Sequence, residues 1–371
     1  MSQSSTSSPV EFRAALARVP AYKPGKPPTP VEGLRQFKLS SNENPYPPLP
    51  SVVQAITDAA QAVNRYPDAG MHALRERIAE QVGVTADEIV PGPGSVGVLD
   101  QIFTAVVEEG TEVVYAWRSF EMYPIAVAVA GGRSVQVPLT ADGRHDLPKM
   151  AASINDKTRL VLVCSPNNPT GAAVTGPEFE DFMAKVPGDV LVVFDEAYIE
   201  FDTADDKVDS LHVYQRYPNL VLLRTFSKAY GLAGLRVGYA VAHPPVAAEL
   251  GKTGLPFAVT DLAQHAALAS LAARDELLVR VKELCSERER VVMALAQQGW
   301  TLPVTQGNFV WLPLGEEAAA FAQIADAAGV SVRPFAGDGV RCSIGEPDAN
   351  DTLLKVCEDF QRSGQRRPGS S

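Results

Sequence analysis

The chain has 371 residues, 46% hydrophobic and 21% charged, the balance of a globular protein with one large or two medium domains. Its 33 basic and 44 acidic residues leave a formal charge of -11 with no block of lysine or arginine, which argues against nucleic acid as main partner, because a phosphate backbone needs clustered cations. No apolar run approaches the roughly 18 residues of a membrane span. The start of the chain has neither a basic stretch nor an apolar core, and Cys164, Cys285, Cys342 and Cys357 show no disulfide or metal-ligand spacing, so a cytoplasmic protein with reduced thiols, no metal and no membrane contact is expected.

In chain order, residues 1–10 and the tail 361–371 have the composition of disordered ends. A proline-punctuated arm spans 18–30 and carries Tyr22. The polar turn Ser40-Ser41-Asn42-Glu43-Asn44-Pro45 follows, too rich in nearby prolines for a helix interior. Val52, Val53, Ile56, Ala59, Ala60 and Val63 share one face of a helix over 51–63, which stops before Arg65-Tyr66-Pro67-Asp68, and a second helix is expected over 71–82. Pro91-Gly92-Pro93-Gly94-Ser95 reads as a tight turn between apolar Ile89-Val90 and a helical run over 96–108. That order offers backbone N–H groups at a helix N-terminus, Ser95 and Val96 among them, to an anion.

Six β-rich runs follow, at 112–115, 134–137, 159–164, 189–194, 219–224 and 237–241, alternating with helical or irregular stretches. This is the pattern of an α/β layer around a mainly parallel, buried sheet. Helical spacing then takes over at 262–272 and 276–298, where Leu277, Val281, Leu284, Cys285, Arg288, Val291, Val292 and Leu295 recur. Strands at 308–312, 330–333 and 339–344 with helices at 316–328 and 350–360 point to a smaller α+β unit. The expected division is an arm over 11–50, a large domain over 51–260, and a small domain with its linking helix over 261–360.

The chemistry gathers at the ends of the β-rich runs. After 219–224 come Thr225, Ser227 and Lys228, and Arg236 stands eight residues beyond the lysine. An amine that can form an imine, next to hydroxyls and a guanidinium that can hold a phosphate dianion, is the equipment of a pyridoxal-phosphate site. A lone lysine on a loop is ordinarily just a solvated charge. Three further stretches sit at equivalent places: Trp117-Arg118-Ser119-Phe120, Ser165-Pro166-Asn167-Asn168-Pro169-Thr170-Gly171 and Asp195-Glu196-Ala197-Tyr198.

Asn168-Pro169-Thr170-Gly171, Asp195-Glu196-Ala197-Tyr198 and Ser227-Lys228 with Arg236 together resemble the ordered motif set of the aspartate-aminotransferase-like, fold type I pyridoxal-phosphate enzymes, over roughly residues 20–360. Ser41-Asn42-Glu43-Asn44-Pro45, Arg65-Tyr66-Pro67-Asp68, the run 227–239 and Val340-Arg341-Cys342-Ser343 are similar to the histidinol-phosphate aminotransferase subgroup, which includes relatives acting on phenylalanine and other aromatic amino acids. The resemblance implies an α/β fold: a large domain with a mainly parallel mixed sheet in an α/β/α sandwich, plus a smaller α+β domain. It implies that Lys228 binds pyridoxal 5′-phosphate covalently and then moves the substrate proton. Asp195 would face the ring nitrogen, Tyr198 and Asn168 the phenolic oxygen, and Phe120 the ring face. Ser95, the Val96 N–H, Thr225, Ser227 and Arg236 would hold the phosphate. Gly94-Ser95-Val96-Gly97 departs from the acidic side chains many relatives carry there, which leaves only backbone donation and the Ser95 hydroxyl.

By the same resemblance Tyr66 reaches into the site of a neighbouring subunit, which implies a homodimer with shared active sites and an arm that contributes to it. Arg341 matches the arginine that grips the substrate carboxylate, Arg333 is a second candidate nearby, and Tyr22 closes over the substrate. The reaction implied is ping-pong amino transfer, with glutamate and 2-oxoglutarate as the shared pair. For the other substrate, an aromatic amino acid, chiefly phenylalanine, comes first. The turn Gly94-Ser95-Val96 and the stretch Trp117-Arg118-Ser119-Phe120-Glu121-Met122-Tyr123-Pro124 resemble aromatic relatives from actinobacteria. Histidinol phosphate is the alternative: a phosphomonoester needs extra distal donors, whereas a phenyl ring needs apolar walls. A decarboxylase would share the lysine and aspartate but release carbon dioxide. A non-catalytic regulator would carry a DNA-binding domain ahead of the motifs, where only a short arm stands.

Overall fold

The computed structural model describes residues 10–19, 22 and 24–365. The expectation of a disordered start concerns residues that lie almost wholly outside these. Twelve strands occur among the described residues: β1 (Phe37–Lys38), β2 (Ile89–Gly92), β3 (Glu112–Trp117), β4 (Arg133–Pro138), β5 (Thr158–Cys164), β6 (Leu191–Asp195), β7 (Leu220–Thr225), β8 (Gly238–Val241), β9 (Phe309–Leu312), β10 (Val330–Ser331), β11 (Arg333–Phe335) and β12 (Gly339–Ser343). Seven form one sheet in the order β2-β8-β7-β6-β5-β3-β4. Strands β3 to β7 are mutually parallel, and β8 runs antiparallel to both neighbours.

The central strands read as unbroken aliphatic runs because both faces are covered. Val161, Val163, Val192, Phe194, Leu220 and Leu222 enter one core, and Leu160, Leu162, Val193, Val221 and Leu223 enter the other. The period of two therefore survives as a choice of face rather than of polarity. Helices Gly94–Val106, Met122–Ala130 and Pro244–Lys252 pack on the second face, while Leu147–Ala152, Gly176–Met183 and Asp261–Ala272 pack on the first. The carboxyl ends of β3, β5, β6 and β7 all lie along one edge of this sheet, the edge at which ligands bind in open α/β folds.

The remaining strands make a second, smaller layer, with β11-β12-β9 antiparallel and β1 parallel to β10. Strand β1 ties the N-terminal segment to the C-terminal third. The Ser40 and Ser331 hydroxyls both donate to the Lys26 carbonyl at 2.9 Å. At Gly25 a Cβ would lie 2.6 Å from Ser41 Oγ, so the arm packs more closely there than any side chain permits.

Four expectations need correction. The run 330–333 is not one strand: Val330–Ser331 pairs with β1, and the chain crosses at Val332 to pair Arg333–Phe335 with β12. Pro91 and Gly92 belong to a strand and not to a turn. Strand β2 is at the sheet edge, where the missing Pro91 N–H deprives no neighbour. The first helix gives way at Ala60 to a 3-10 turn ending at Ala62. The last helix, Pro347–Gln365, continues past 361, with Arg362 paired to Glu358 one turn back; residues 366–371 lie outside those described.

Helix Arg274–Gln297 spans 24 residues, about 36 Å, and leads into β9. Its Arg288, 3% exposed, donates to the Phe201 carbonyl at 2.8 Å, the Gly307 carbonyl at 3.3 Å, Thr203 Oγ1 at 3.0 Å and Gln306 Oε1 at 3.4 Å. One guanidinium thus fastens this helix to the segment after β6 and to the approach to β9. Arg288→Met keeps the stem and removes the donors, leaving buried acceptors unpaired. It is expected to lower stability by about 2–3 kcal/mol in urea unfolding, against less than about 0.5 for an exposed arginine.

Candidate active site

Strand β7 ends at Thr225, and the chain then closes a loop instead of entering a helix. Ser227 N–H donates to Thr225 Oγ1 at 3.1 Å, Leu232 N–H to the Phe226 carbonyl at 2.9 Å, and Gly231 takes φ +67°. Asn44 Nδ2 donates to the Ala229 carbonyl at 2.9 Å and holds the loop from the opposite side. Lys228 lies in this loop with its amine at 3.3 Å from the Ser41 carbonyl. Burial strips water from the ammonium and the Arg341 cation repels it, so the amine is pushed down to about 7. A neutral, nucleophilic lysine near neutral pH follows.

At the end of β6 two adjacent carboxylates meet opposite fates because successive strand residues face opposite sides. Glu196, 1% exposed, is bound by Arg224 Nε at 2.8 Å from the neighbouring strand. Asp195, 4% exposed, forms no ion pair among the described residues. It accepts from Tyr123 Oη at 2.7 Å and from the Ala197 N–H at 3.3 Å. Burial raises its pKa to about 6, with the Tyr123 hydrogen bond opposing. A buried carboxylate without a fixed cation suits a ligand that brings one, such as a protonated ring nitrogen.

Asn167 and Asn168 divide in the same way. Asn167 is enclosed in protein bonds to Thr170 Oγ1 at 2.9 Å, the Arg118 carbonyl at 3.1 Å, Ser119 Oγ at 2.8 Å and His145 Nε2 at 3.1 Å. Asn168 lines the cavity and accepts from Arg341 Nη1 at 2.5 Å. Tyr198 Oη accepts from Asn42 Nδ2 at 3.0 Å, and burial holds its hydroxyl well above the ordinary tyrosine range. Phe120 borders the same cavity and packs edge-on to Tyr123, with ring centroids 5.6 Å apart.

An anion cradle stands at the start of helix Gly94–Val106. Gly94 has φ +79°, and a Cβ there would lie 2.5 Å from Arg236 Nη2; a Cβ on Gly238 would lie 2.5 Å from the Ser95 nitrogen. Glycine at both positions lets Arg236 and β8 approach the free N–H groups of Ser95 and Val96. Arg236 Nη1 donates to the Ala233 carbonyl at 3.0 Å and to Ser227 Oγ at 3.4 Å, leaving its second amino group for an anion.

Tyr22, Ser95, Val96, Phe120, Asn168, Asp195, Tyr198, Thr225, Ser227, Lys228, Arg236, Arg333 and Arg341 all border one cavity of about 260 Å³. Tyr66 does not: it is 82% exposed and stacks on Phe257 at 4.6 Å. A larger cleft of about 1020 Å³, beyond Trp117 and Arg118, gathers none of these groups. Arg341 on β12 is 8% exposed; its Nη2 donates to the Ser40 carbonyl at 2.9 Å, and its Nε is buried without a partner. Arg333 is its direct cross-strand neighbour, bound to Glu121 at 2.7 Å and to the Pro24 carbonyl at 3.1 Å.

Sequence reasoning named the motif that holds Tyr123 and Glu121 but gave neither a role. It also gave no role to Ser41 and Phe335, which line the cavity, or to Asn42, buried behind Tyr198. Tyr123 lies 72 residues from Asp195, and Glu121 lies 212 from Arg333, so only the fold joins them. An orphan carboxylate, an uncommitted guanidinium at a helix N-terminus and an amine near neutrality fit a group with a ring cation at one end, a phosphate at the other and a carbonyl between.

A profile of the family described as "Aminotransferase class I and II" matches residues 35–356. The chain is 55% identical over 352 residues to the aromatic amino acid aminotransferase of Streptomyces coelicolor, covering 95% of this chain and 98% of that one. It is 51% identical over 354 residues to the protein of the same name from Thermobifida fusca, covering 95% and 98%. Among solved structures it resembles the histidinol-phosphate aminotransferase of Sinorhizobium meliloti in complex with pyridoxal-5′-phosphate, with a TM-score of 0.83 and 31% identity over 88% of this chain and 91% of that one. A tetra mutant of the Thermus thermophilus aspartate aminotransferase shares the fold at a TM-score of 0.76 and 24% identity, covering 90% of this chain and 99% of that one. With this site at the carboxyl edge of its sheet and this match along its length, the chain belongs to the class I and II aminotransferases, enzymes that work with pyridoxal 5′-phosphate.

Proposed function

We propose that this chain transfers the amino group of an aromatic L-amino acid, phenylalanine above others, to 2-oxoglutarate, using pyridoxal 5′-phosphate. The observation that carries the choice of substrate is the distal end of the cavity. There Arg333 is already neutralised by Glu121, and Phe335 and Tyr22 supply aromatic wall. A phosphomonoester would need donors that this ion pair has used, whereas a phenyl ring needs apolar surface and no net charge. The relatives named aromatic amino acid aminotransferases favour the same choice.

When bound, the cofactor supplies a carbonyl carbon that accepts an amine and a ring that draws electrons from the substrate Cα. In this reading Lys228 would hold the cofactor through that carbon and would serve as general base and acid for the substrate Cα proton. Asp195 would keep a proton on the ring nitrogen, and the Tyr123 hydroxyl, donating to it, favours its ionised form against the effect of burial. Tyr198 and Asn168 donate to the phenolic oxygen. Ser95, Val96 N–H, Thr225, Ser227 and Arg236 would hold the phosphate, Phe120 would border the ring, and Arg341 would grip the α-carboxylate with its planar fork. Tyr22 on the arm closes the mouth. Tyr66, exposed and outside the cavity of its own chain, is assigned to the site of a second copy in a homodimer. The arm over 11–50, large domain over 51–260 and small domain over 261–360 complete this reading. No helix among the described residues is long and apolar enough to cross a membrane, and a cytoplasmic enzyme is proposed.

With 2-oxoglutarate as acceptor, kcat/KM for phenylalanine is expected to exceed that for histidinol phosphate by about a hundredfold, the scale on which a site rejects a group it cannot pair. A preference for the phosphate ester in steady-state assays would sink the proposal. Lys228→Ala is expected to remove the visible absorbance of bound cofactor and to lower turnover by about a thousandfold or more, with the circular dichroism of the fold retained. The amine is deprotonated above its pKa. Covalent capture of added pyridoxal phosphate by cofactor-free protein should therefore speed up as pH rises through about 7 and then level off. A capture rate still climbing at about pH 10 would place Lys228 among ordinary lysines.

A further inference from the structure

Arg333 and Arg341 face each other directly across the antiparallel pair β11-β12, and both border the cavity. Like charges in direct cross-strand register repel, and burial leaves little water to screen them. In the proposed reaction Arg341 meets the substrate α-carboxylate, so each turnover neutralises it. Arg333 has its own standing counter-ion: Glu121, on the turn just after β3, with Nη2 to Oε2 at 2.7 Å. The pair is well shielded, Arg333 being 12% and Glu121 30% exposed at the side chain. A second ion pair crosses the same junction, Arg118 Nε binding Asp338 Oδ2 at 2.8 Å.

We propose that Glu121 is a specificity-determining residue that acts through Arg333, competing with any anionic substrate side chain for the guanidinium. The inference rests on the amino-transfer reading above and adds to it the residue that weighs the two substrates against each other. An aromatic side chain meets a closed, neutral ion pair beside Phe335. The γ-carboxylate of glutamate or 2-oxoglutarate must displace Glu121 to reach Arg333, which penalises the acidic partner and keeps it from excluding the aromatic one. Because Arg333 Nη1 also holds the Pro24 carbonyl at 3.1 Å, that displacement is felt by the arm that carries Tyr22.

The test is the half-reaction of holoenzyme with each amino acid, followed by the loss of cofactor absorbance in wild type, Glu121→Gln, Glu121→Asp and Glu121→Ala. Removing the charge in Glu121→Gln should raise kcat/KM for glutamate about tenfold, mainly through KM. The same change should lower it for phenylalanine, because binding the ring then strips water from a guanidinium that has lost its counter-ion. Glu121→Asp, which keeps the charge, should restore most of the wild-type ratio, and Glu121→Ala should move it in the same direction as Glu121→Gln. A ratio unchanged within about twofold, or a parallel fall with both amino acids as from general damage to the site, overturns the proposal. Wild-type enzyme that ignores phenylalanine would refute the substrate reading instead, while the response of glutamate to the three variants would still report on Glu121.

Discussion

The structure turns on a carboxylate buried without a cation of its own. Asp195 sits at the end of a strand enclosed on both faces, supported by one phenol and one backbone N–H. Leaving an ionised group in such a place costs several kcal/mol unless something offsets it. The rest of the site answers that cost in kind. Lys228 is held close to neutrality, Arg236 stands at a helix N-terminus with donors to spare, and Arg341 keeps a buried Nε unmatched. These are unsatisfied demands of opposite sign placed around one cavity, and a ligand with a cationic ring end and a dianionic phosphate meets them together. Cofactor binding and stability are therefore linked in this fold.

Local backbone geometry decides which of two chemically similar neighbours is spent on architecture and which on chemistry. Glu196 is neutralised by Arg224 on β7, anchoring the two strands that carry the site, while Asp195 points to the cavity side. Asn167 is used up in bonds to Ser119, His145, Thr170 and the Arg118 carbonyl, which fixes the turn so that Asn168 reaches Arg341. A one-residue slip of β6 would exchange the roles of Asp195 and Glu196.

The same logic separates what could be read in the sequence from what could not. The strands were legible because burial on both faces leaves plain aliphatic runs, and the site residues because they cluster at the ends of those runs. Helix Met122–Ala130 was not foreseen: its residues are apolar almost throughout, β-branched in part and interrupted by Pro124, so no polar face marks a period of 3.6. The break at Val332 is hidden because the alternation Val330-Ser331-Val332-Arg333 reads as one continuous strand and gives no sign of changing its partner. Tyr123 and Glu121 stood in a motif already singled out, yet their partners are 72 and 212 residues away, and a role that consists of a contact cannot be read from one end of it.

Specificity lies at the junction between the two sheets. The turn after β3 meets the β11-β12 hairpin through Arg118 with Asp338 and Arg333 with Glu121, and Arg118 also lies over Trp117 at 4.5 Å and Phe335 at 5.6 Å. The first pair lines the larger cleft beyond Trp117, whereas the second forms part of the cavity wall. One contact can therefore hold the hairpin while the other is exchanged. If both pairs opened together, Arg341 would lose its place along with Arg333, and the α-carboxylate grip would vary with the side chain being bound. In the proposed reaction, separating the two pairs would let Arg341 serve substrates whose side chains differ in charge.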